Sequence, residues 1–307
     1  MSTLIAVDHG NYAVKTAGGH QFLSGLTEHL AKPPLAEDLI EYDGSYWTLS
    51  DSRIAYKRDK TRDEQFFILT LFAIAKELKT SAKISKINRI TLAVGLPPEH
   101  WGIGRESFAE YFHRQDAVNF VYNDEPMSVI IEQVLVYPQA YAAVVPQSAR
   151  LVDIPRMFII DIGGMTTDVL LLRNGKPDMQ FCRSLETGII TMQNNLCGRI
   201  NAQYDMTIET EHIEGVIRGT DNILPYEVKN AIRTAAKQHA ESIVDKLREL
   251  RVDLRSNPAI FIGGGSILLR EYLETSPLVA KATFIPETDA NAIGYQMLAA
   301  AQLKRSA

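Results

Sequence analysis

The chain has 307 residues, enough for two domains of ordinary size with a core each. Hydrophobic residues make up 46% and charged residues 22%, the balance of a globular protein rather than a disordered one. A net charge of −5 gives no global reason to bind nucleic acid directly, and the two cysteines and seven scattered histidines form no CxxC, HxxxH or HExxH set, which argues against a disulfide framework or a structural zinc site. MSTLIAVDHG has no basic segment followed by an apolar one, and no run of 18 apolar residues occurs, so the expectation is a cytoplasmic protein that neither spans nor binds a membrane.

Residues 3–8 read as a strand ending in Asp8, with a turn at His9-Gly10-Asn11 and a return strand over 12–17. Short strand-like pieces follow within 21–58, including an Asp43-Gly44 hairpin turn. Residues 61–79 predict a helix, opened by a capping box at Thr61-Arg62-Asp63-Glu64 and carrying apolar residues at helical spacing. A buried strand over 88–96 stops at Pro97-Pro98. GIGR at 102–105 reads as a loop, 103–114 as helical and 118–122 as a strand. A helix is expected from about Glu125 and a short one over 138–145, opened by Pro138. Residues 149–157 read as a connector. Then come a strand over 158–164 carrying Asp161, a return strand over 165–172 and an Asn174-Gly175 turn. Helices are expected over 188–201, 207–219 and 225–250. A strand over 258–263 runs into Gly263-Gly264-Gly265, Ser266 opens a helix, and a last helix covers 290–303.

IAVDHGNYAVK and IIDIGGMTTDVLLL share one design: an apolar strand, an aspartate, a glycine turn and a second strand. A phosphate tail needs backbone N–H donors at close range, which glycine turns allow. Gly10 and Asn11 supply such a turn in the first hairpin, and Gly163, Gly164, Met165, Thr166 and Thr167 in the second. A phosphate-bound Mg²⁺ needs carboxylates, which Asp8 and Asp161 offer at strand ends while Asp168 closes the second hairpin. Lys15 on the first return strand can reach a phosphate as a point charge. IFIGGGSILL is either a Rossmann-like turn or a tight strand–helix corner. It lacks GxGxxG with a following ribose-binding acid, and no GxxxxGK[ST] occurs, so a dinucleotide site and a P-loop are not expected.

The order of IAVDHGNYAVK, VYPQAYAAV, IIDIGGMTTDVLLL, AIFIGGGSILL and ANAIGYQML resembles the phosphate 1, connect 1, phosphate 2, adenosine and connect 2 motifs of the actin, heat-shock chaperone and sugar kinase superfamily. KTRDEQFFILTLFAIAKEL, GLPPEHWGIGRESFAEYF and NAIGYQM are similar to the ParM/StbA plasmid-segregation actin-like proteins. The resemblance implies an α/β, actin-like ATPase fold: two related, ribonuclease H-like domains around a nucleotide cleft. The first would be residues 1–155 with the C-terminal helix 286–307, the second 156–285. It implies ATP, with GTP as the alternative, and ADP and Mg²⁺ as the bound species. Asp8 and Asp161 would flank Mg²⁺ and the attacking water. Gly10, Asn11 and Lys15 would hold the β-phosphate side, and Gly163, Gly164, Met165, Thr166 and Thr167 the opposite side. Gly263, Gly264, Gly265 and Ser266 would pass the adenosine. Gln139 matches the position that orients the hydrolytic water, where many segregation relatives carry glutamate; glutamine is a poor base, so slow hydrolysis is expected. Glu211 and Arg218 would hold ribose and adenine. Asn291 and Gly294 fit connect 2, whose close packing near Ala140 would make a hinge.

The biological role implied is a filament that polymerises with itself and segregates DNA through a DNA-binding adaptor protein. A non-polymerising nucleotide switch is the first alternative. A small-molecule kinase is the second, for which no catalytic aspartate base stands out.

Overall fold

The computed structural model of the protein describes residues 2–57, 59–81 and 85–306. It divides into two compact units, Met1–Ser148 with Asp289–Ala307, and Ala149–Thr288. The segment read as a connector opens with a one-turn helix, Ser148–Leu151.

The first unit is built on a nine-stranded sheet of order β3-β2-β1-β7-β9-β8-β5-β6-β4. Its strands are β1 (Thr3–His9), β2 (Ala13–Thr16), β3 (Gln21–Leu23), β4 (Leu26–His29), β5 (Leu39–Tyr42), β6 (Ser45–Leu49), β7 (Asn88–Leu96), β8 (Arg114–Tyr122) and β9 (Glu125–Pro138). The second holds a five-stranded sheet, β12-β11-β10-β13-β14. It comprises β10 (Met157–Ile162), β11 (Thr167–Arg173), β12 (Lys176–Leu185), β13 (Ala259–Ile262) and β14 (Ala282–Phe284). The echo in the sequence is an echo in topology. In β3-β2-β1-β7-β9 the first three strands are antiparallel neighbours and the last three are parallel. The same holds, strand for strand, in β12-β11-β10-β13-β14. Asp8 and Asp161 each occupy the penultimate position of the corresponding strand.

One face of the first sheet is covered by α1 (Gln65–Thr80) and α2 (Pro98–Phe112). Helix α1 is apolar nearly all round and buries Phe66 through Ala75 without a break, as a helix enclosed by other elements must. Its expected capping box does not form. Thr61 turns back to Asp59, its N–H and hydroxyl donating to Oδ1 at 3.0 and 2.7 Å, while Asp63 Oδ1 accepts the Gln65 N–H at 3.1 Å. The helix therefore starts at Gln65. GIGR is helical, lying inside α2.

The helix expected from Glu125 is strand β9. Asn123 and Asp124 both take positive φ (48° and 66°), a two-residue turn that folds β9 back on β8. The short helix expected from Pro138 begins at Tyr141: Pro138 is the last residue of β9, and α3 spans Tyr141–Val144. Asp43-Gly44 and Asn174-Gly175 form the expected turns, with φ of 49° and 77°, and 48° and 73°.

The opposite face of the first sheet carries α10 (Ala290–Ser306). Here the sheet presents Ala6 and Ala93, and Gly95 lies under the ring of buried Tyr295. Small residues let the helix approach closely. In the second unit, α5 (Ile189–Tyr204), α6 (Thr210–Ile217) and α7 (Tyr226–Glu249) pack on one another, and α8 (Gly264–Leu268) and α9 (Arg270–Glu274) follow β13.

Candidate functional site

In the first unit, Asp8 is 5% exposed and accepts a hydrogen bond on Oδ1 from Gln139 Nε2 at 3.0 Å. Gln139 is itself only 9% exposed, so it is not a solvated helix residue. Its backbone is fixed from three sides. Its N–H donates to Leu96 O (2.8 Å), and its carbonyl accepts from Tyr141 N (2.6 Å). Between them Ala140 adopts φ 63°, ψ −55°, a strained γ-turn, and its N–H donates to Asn291 Oδ1 at 3.0 Å. The strain lets β9 end and α3 begin within two residues, which aims the Gln139 side chain at Asp8. Its amide nitrogen is used on the carboxylate, so Oε1 remains to accept a hydrogen bond from water.

The turn after β1 is held from behind. The His9 carbonyl accepts from the Lys60 ammonium, the Gly10 carbonyl from Ser24 Oγ (2.6 Å) and the Tyr12 carbonyl from Ser24 N (3.1 Å). In a trans peptide the N–H points opposite to the carbonyl of the same unit, so the Gly10 and Asn11 amides face the other way. A Cβ on Gly10 would lie 2.6 Å from Ala13 O, so only glycine fits. Lys15 is paired with Asp8 across the hairpin.

His9 anchors this turn in the core. Thr70 Oγ1 donates to Phe66 O (2.7 Å), so the His9 Nε2–H donates to Thr70 Oγ1 (2.7 Å). The ring stacks on Phe112 at 5.0 Å and meets Phe66 and Phe108 edge-on. Burial first, and then the Lys60 charge, pull its pKa down to about 3. Unfolding restores the ordinary value near 6.5, so the unfolded chain binds more protons between these limits. Stability of the first unit is therefore expected to fall as pH drops from about 6.5 towards 3, by on the order of 1 kcal/mol per pH unit. Denaturant titrations across that window should show this slope, flattened in His9→Gln.

In the second unit, Asp161 faces Asp168 across the hairpin, and Thr166 Oγ1 donates to Asp168 Oδ2 at 3.3 Å. The turn between is held by the start of α5. Gly188 N donates to Met165 O (3.0 Å), Ile189 N to Gly163 O (3.1 Å) and Ile190 N to Gly164 O (2.8 Å). Three successive carbonyls thus point at the helix, and the amides of Gly164, Met165 and Thr166 point away from it. None of these three N–H groups has an acceptor among the described residues. Such consecutive donors form an anion-binding nest. Gly188 is obligatory, since a Cβ there would lie 2.2 Å from Gly164 O.

The glycine triplet has three separate reasons. Gly263 sits at φ 84°, ψ 155°, open to glycine alone, with an added Cβ 2.3 Å from Asp161 Oδ1. Gly265 packs on Ile162, where a Cβ would come within 2.6 Å of Cγ2. Gly264 has nothing within 4 Å of a Cβ, so its face is open. The corner is a close strand–helix junction. Ser266 is buried and its hydroxyl donates to Gly263 O (2.8 Å), while Thr167 is buried and its Oγ1 donates to Thr187 O (3.3 Å).

Glu211 and Arg218 are exposed on or next to α6; Thr210 Oγ1 donates to Glu211 (3.2 Å), and Arg218 pairs with Glu214 at 3.6 Å. Glu214, which the sequence reading passes over, also accepts from the buried Gln193 Nε2 at 3.0 Å. Ser24, Lys60, Thr70 and Gly188 are likewise absent from that reading. Only Gly188 carried a signal, a glycine at the opening of a helix.

Among the described residues no group of three or more His, Cys, Asp or Glu could cage a metal ion. Each unit offers one carboxylate at a strand end, Asp8 in the first and Asp161 in the second, and a cation met by a single carboxylate takes its other ligands from phosphate oxygens and water. No described helix is long and apolar enough to cross a membrane.

Two related α/β units, each with an aspartate-ended strand and a phosphate-type turn, define an actin-like protein. The N-terminal domain model of actin-like proteins matches residues 6–141, and the C-terminal model of archaeal MreB-like actin homologues matches 159–275. The chain belongs to the actin-like protein family. A comparison with curated protein sequences returns no match. Among solved structures, the archaeal actin homologue Ta0583 in complex with ADP is 17% identical with a TM-score of 0.77, over 97% of this chain and 99% of that one. A 15-stranded ParM filament from Clostridium botulinum is 17% identical with a TM-score of 0.76, over 98% and 100%. An AlfA filament bound to AMPPNP is 15% identical with a TM-score of 0.66, over 100% and 99%. These likenesses concern the fold.

Proposed function

We propose that the chain binds and hydrolyses ATP, with GTP as the alternative substrate, and polymerises with itself into dynamic filaments that segregate plasmid or other DNA in the cytoplasm. The observation that carries the nucleotide reading is the nest of Gly164, Met165 and Thr166 amides, turned outward by α5. The Gly10 and Asn11 amides repeat it in the first unit. Their donors meet phosphate oxygens and stabilise the charge that spreads over them as the terminal phosphoryl group departs. Gln139 Oε1 orients the attacking water while its Nε2 stays on Asp8. No strong base is present at that position, so turnover is slow. When bound with the nucleotide, Mg²⁺ supplies neutralisation of phosphate charge, with Asp8 and Asp161 as the carboxylates that hold its waters.

Self-association draws support from the likeness to filament-forming relatives. The net charge of −5 suits a DNA-binding adaptor rather than direct contact with nucleic acid. Light scattering and pelleting with ATP and Mg²⁺ should show a polymer that later disassembles as phosphate is released. A chain that stays monomeric at about 50 μM, in the upper range of weak interfaces, overturns the filament reading.

A further inference from the structure

A second cavity lies in the Ala149–Thr288 unit, on the far side of the Glu186–Gly188 turn from the nest. Its volume is about 440 Å³, within the usual range for small-molecule sites. Its floor is the turn itself and its walls are α5 and α7. Arg199 on α5 and Lys246 on α7 bring two cations to it, Glu186 one carboxylate, and Met192, Leu196 and Ala235 an apolar side. Neither Arg199 nor Lys246 has an ion-pair partner among the described residues.

Two hydrogen-bonding atoms here are covered and unused. Thr187 is 5% exposed, and neither its Oγ1 nor His239 Nε2 has a partner among the described residues. Leaving such atoms buried and unpaired costs stability, which a ligand with matching groups recovers. Burial is the main influence on the His239 ring and holds its pKa below the ordinary value, against the opposing contact with the Thr187 backbone. The neutral ring offers a lone pair or an N–H, and the threonine hydroxyl offers both roles. Among the described residues, none fills the space.

We propose that this cavity is a binding site for a small organic phosphate, held by Arg199 and Lys246 through its oxyanion and by Met192 and Leu196 through its apolar body. Two cations against one carboxylate select an anion, and the guanidinium suits the phosphate geometry. The apolar wall and the volume select more than a bare inorganic ion. The site is separate from the nest, because the Thr187 carbonyl and Gly188 N–H already serve the Thr167 hydroxyl and the Met165 carbonyl from the other side of the turn.

The test is an NMR titration of the nucleotide-free full chain with phenyl phosphate, following the His239 imidazole signals assigned through His239→Gln. It is independent of the ATP reading, since no nucleotide is added and the signal is local to the cavity. Saturable shifts are expected with a Kd of about 1 mM or tighter. Arg199→Met combined with Lys246→Met, both at exposed positions, should weaken binding at least 10-fold while leaving the thermal midpoint unchanged. Any of four results overturns the proposal: no saturable shift, unchanged affinity in the double variant, inorganic phosphate binding as tightly as phenyl phosphate, or phenol doing so.

Discussion

Asp161→Ala should abolish nucleotide hydrolysis, lowering turnover by about 10²–10³-fold, the range found when one preorganised charge-stabilising group is lost. The residue ends an apolar strand, and Gly263 is forced into glycine-only backbone beside its carboxylate. Alanine keeps the strand backbone and removes only the carboxylate, so the variant is expected to fold with an unchanged thermal midpoint. Phosphate release measured at saturating nucleotide is the check, and turnover within threefold of the parent chain contradicts the assignment. Gln139→Ala should cost less, about 10²-fold, because backbone amides and Asp8 remain.

The second large effect concerns stability. A Cβ on Gly294 would lie 1.9 Å from Ala142 O and 2.3 Å from Ala142 C, both backbone atoms at the crossing of α10 and α3. No rotamer change relieves this, so α10 and α3 must move apart. Gly294→Val is expected to destabilise the first unit by roughly 3 kcal/mol or more, at the upper end of overpacking effects. The contrasting case is Gly102 in α2, where an added Cβ meets nothing within 4 Å. Gly102→Ala should stabilise by about 0.5–1 kcal/mol through helix propensity alone. Thermal melts of the two variants should therefore shift in opposite directions, and a Gly294→Val melt within 1–2 °C of the parent chain, under about 1 kcal/mol, contradicts the packing account.

The two hairpins were legible because a fully apolar strand that ends in aspartate and glycine has few other uses. The Asp43-Gly44 and Asn174-Gly175 turns were legible for a related reason: both need left-handed backbone. Strand β9 was hidden by a bulge. Met127, Val129 and Ile131 face the α1 side of the sheet, but past the register shift near Glu132 the residues on that side are Val134 and Val136, and Leu135 and Tyr137 turn to α10. The alternation changes phase midway, and a single period cannot describe it. Pro138 misled for a different reason. It is as acceptable at the end of a strand as at the start of a helix, and only the γ-turn at Ala140 decides which. The groups behind the phosphate-type turns come from distant positions. Lys60, Ser24 and Thr70 meet the first turn only once the chain has folded, and no local pattern announces them.

The link between Ala140 N and Asn291 Oδ1 bears on when Gln139 can be aimed. The strained turn that aims Gln139 is secured by a side chain of α10, 151 residues further along the chain than Ala140. A growing chain can form its hairpins early, since domains fold as they emerge during synthesis. It cannot fix the glutamine against Asp8 until α10 has cleared the ribosome and docked. Unfinished chains, and chains truncated before Asn291, would leave the glutamine unaimed. The aim of Gln139 thereby depends on the docking of α10.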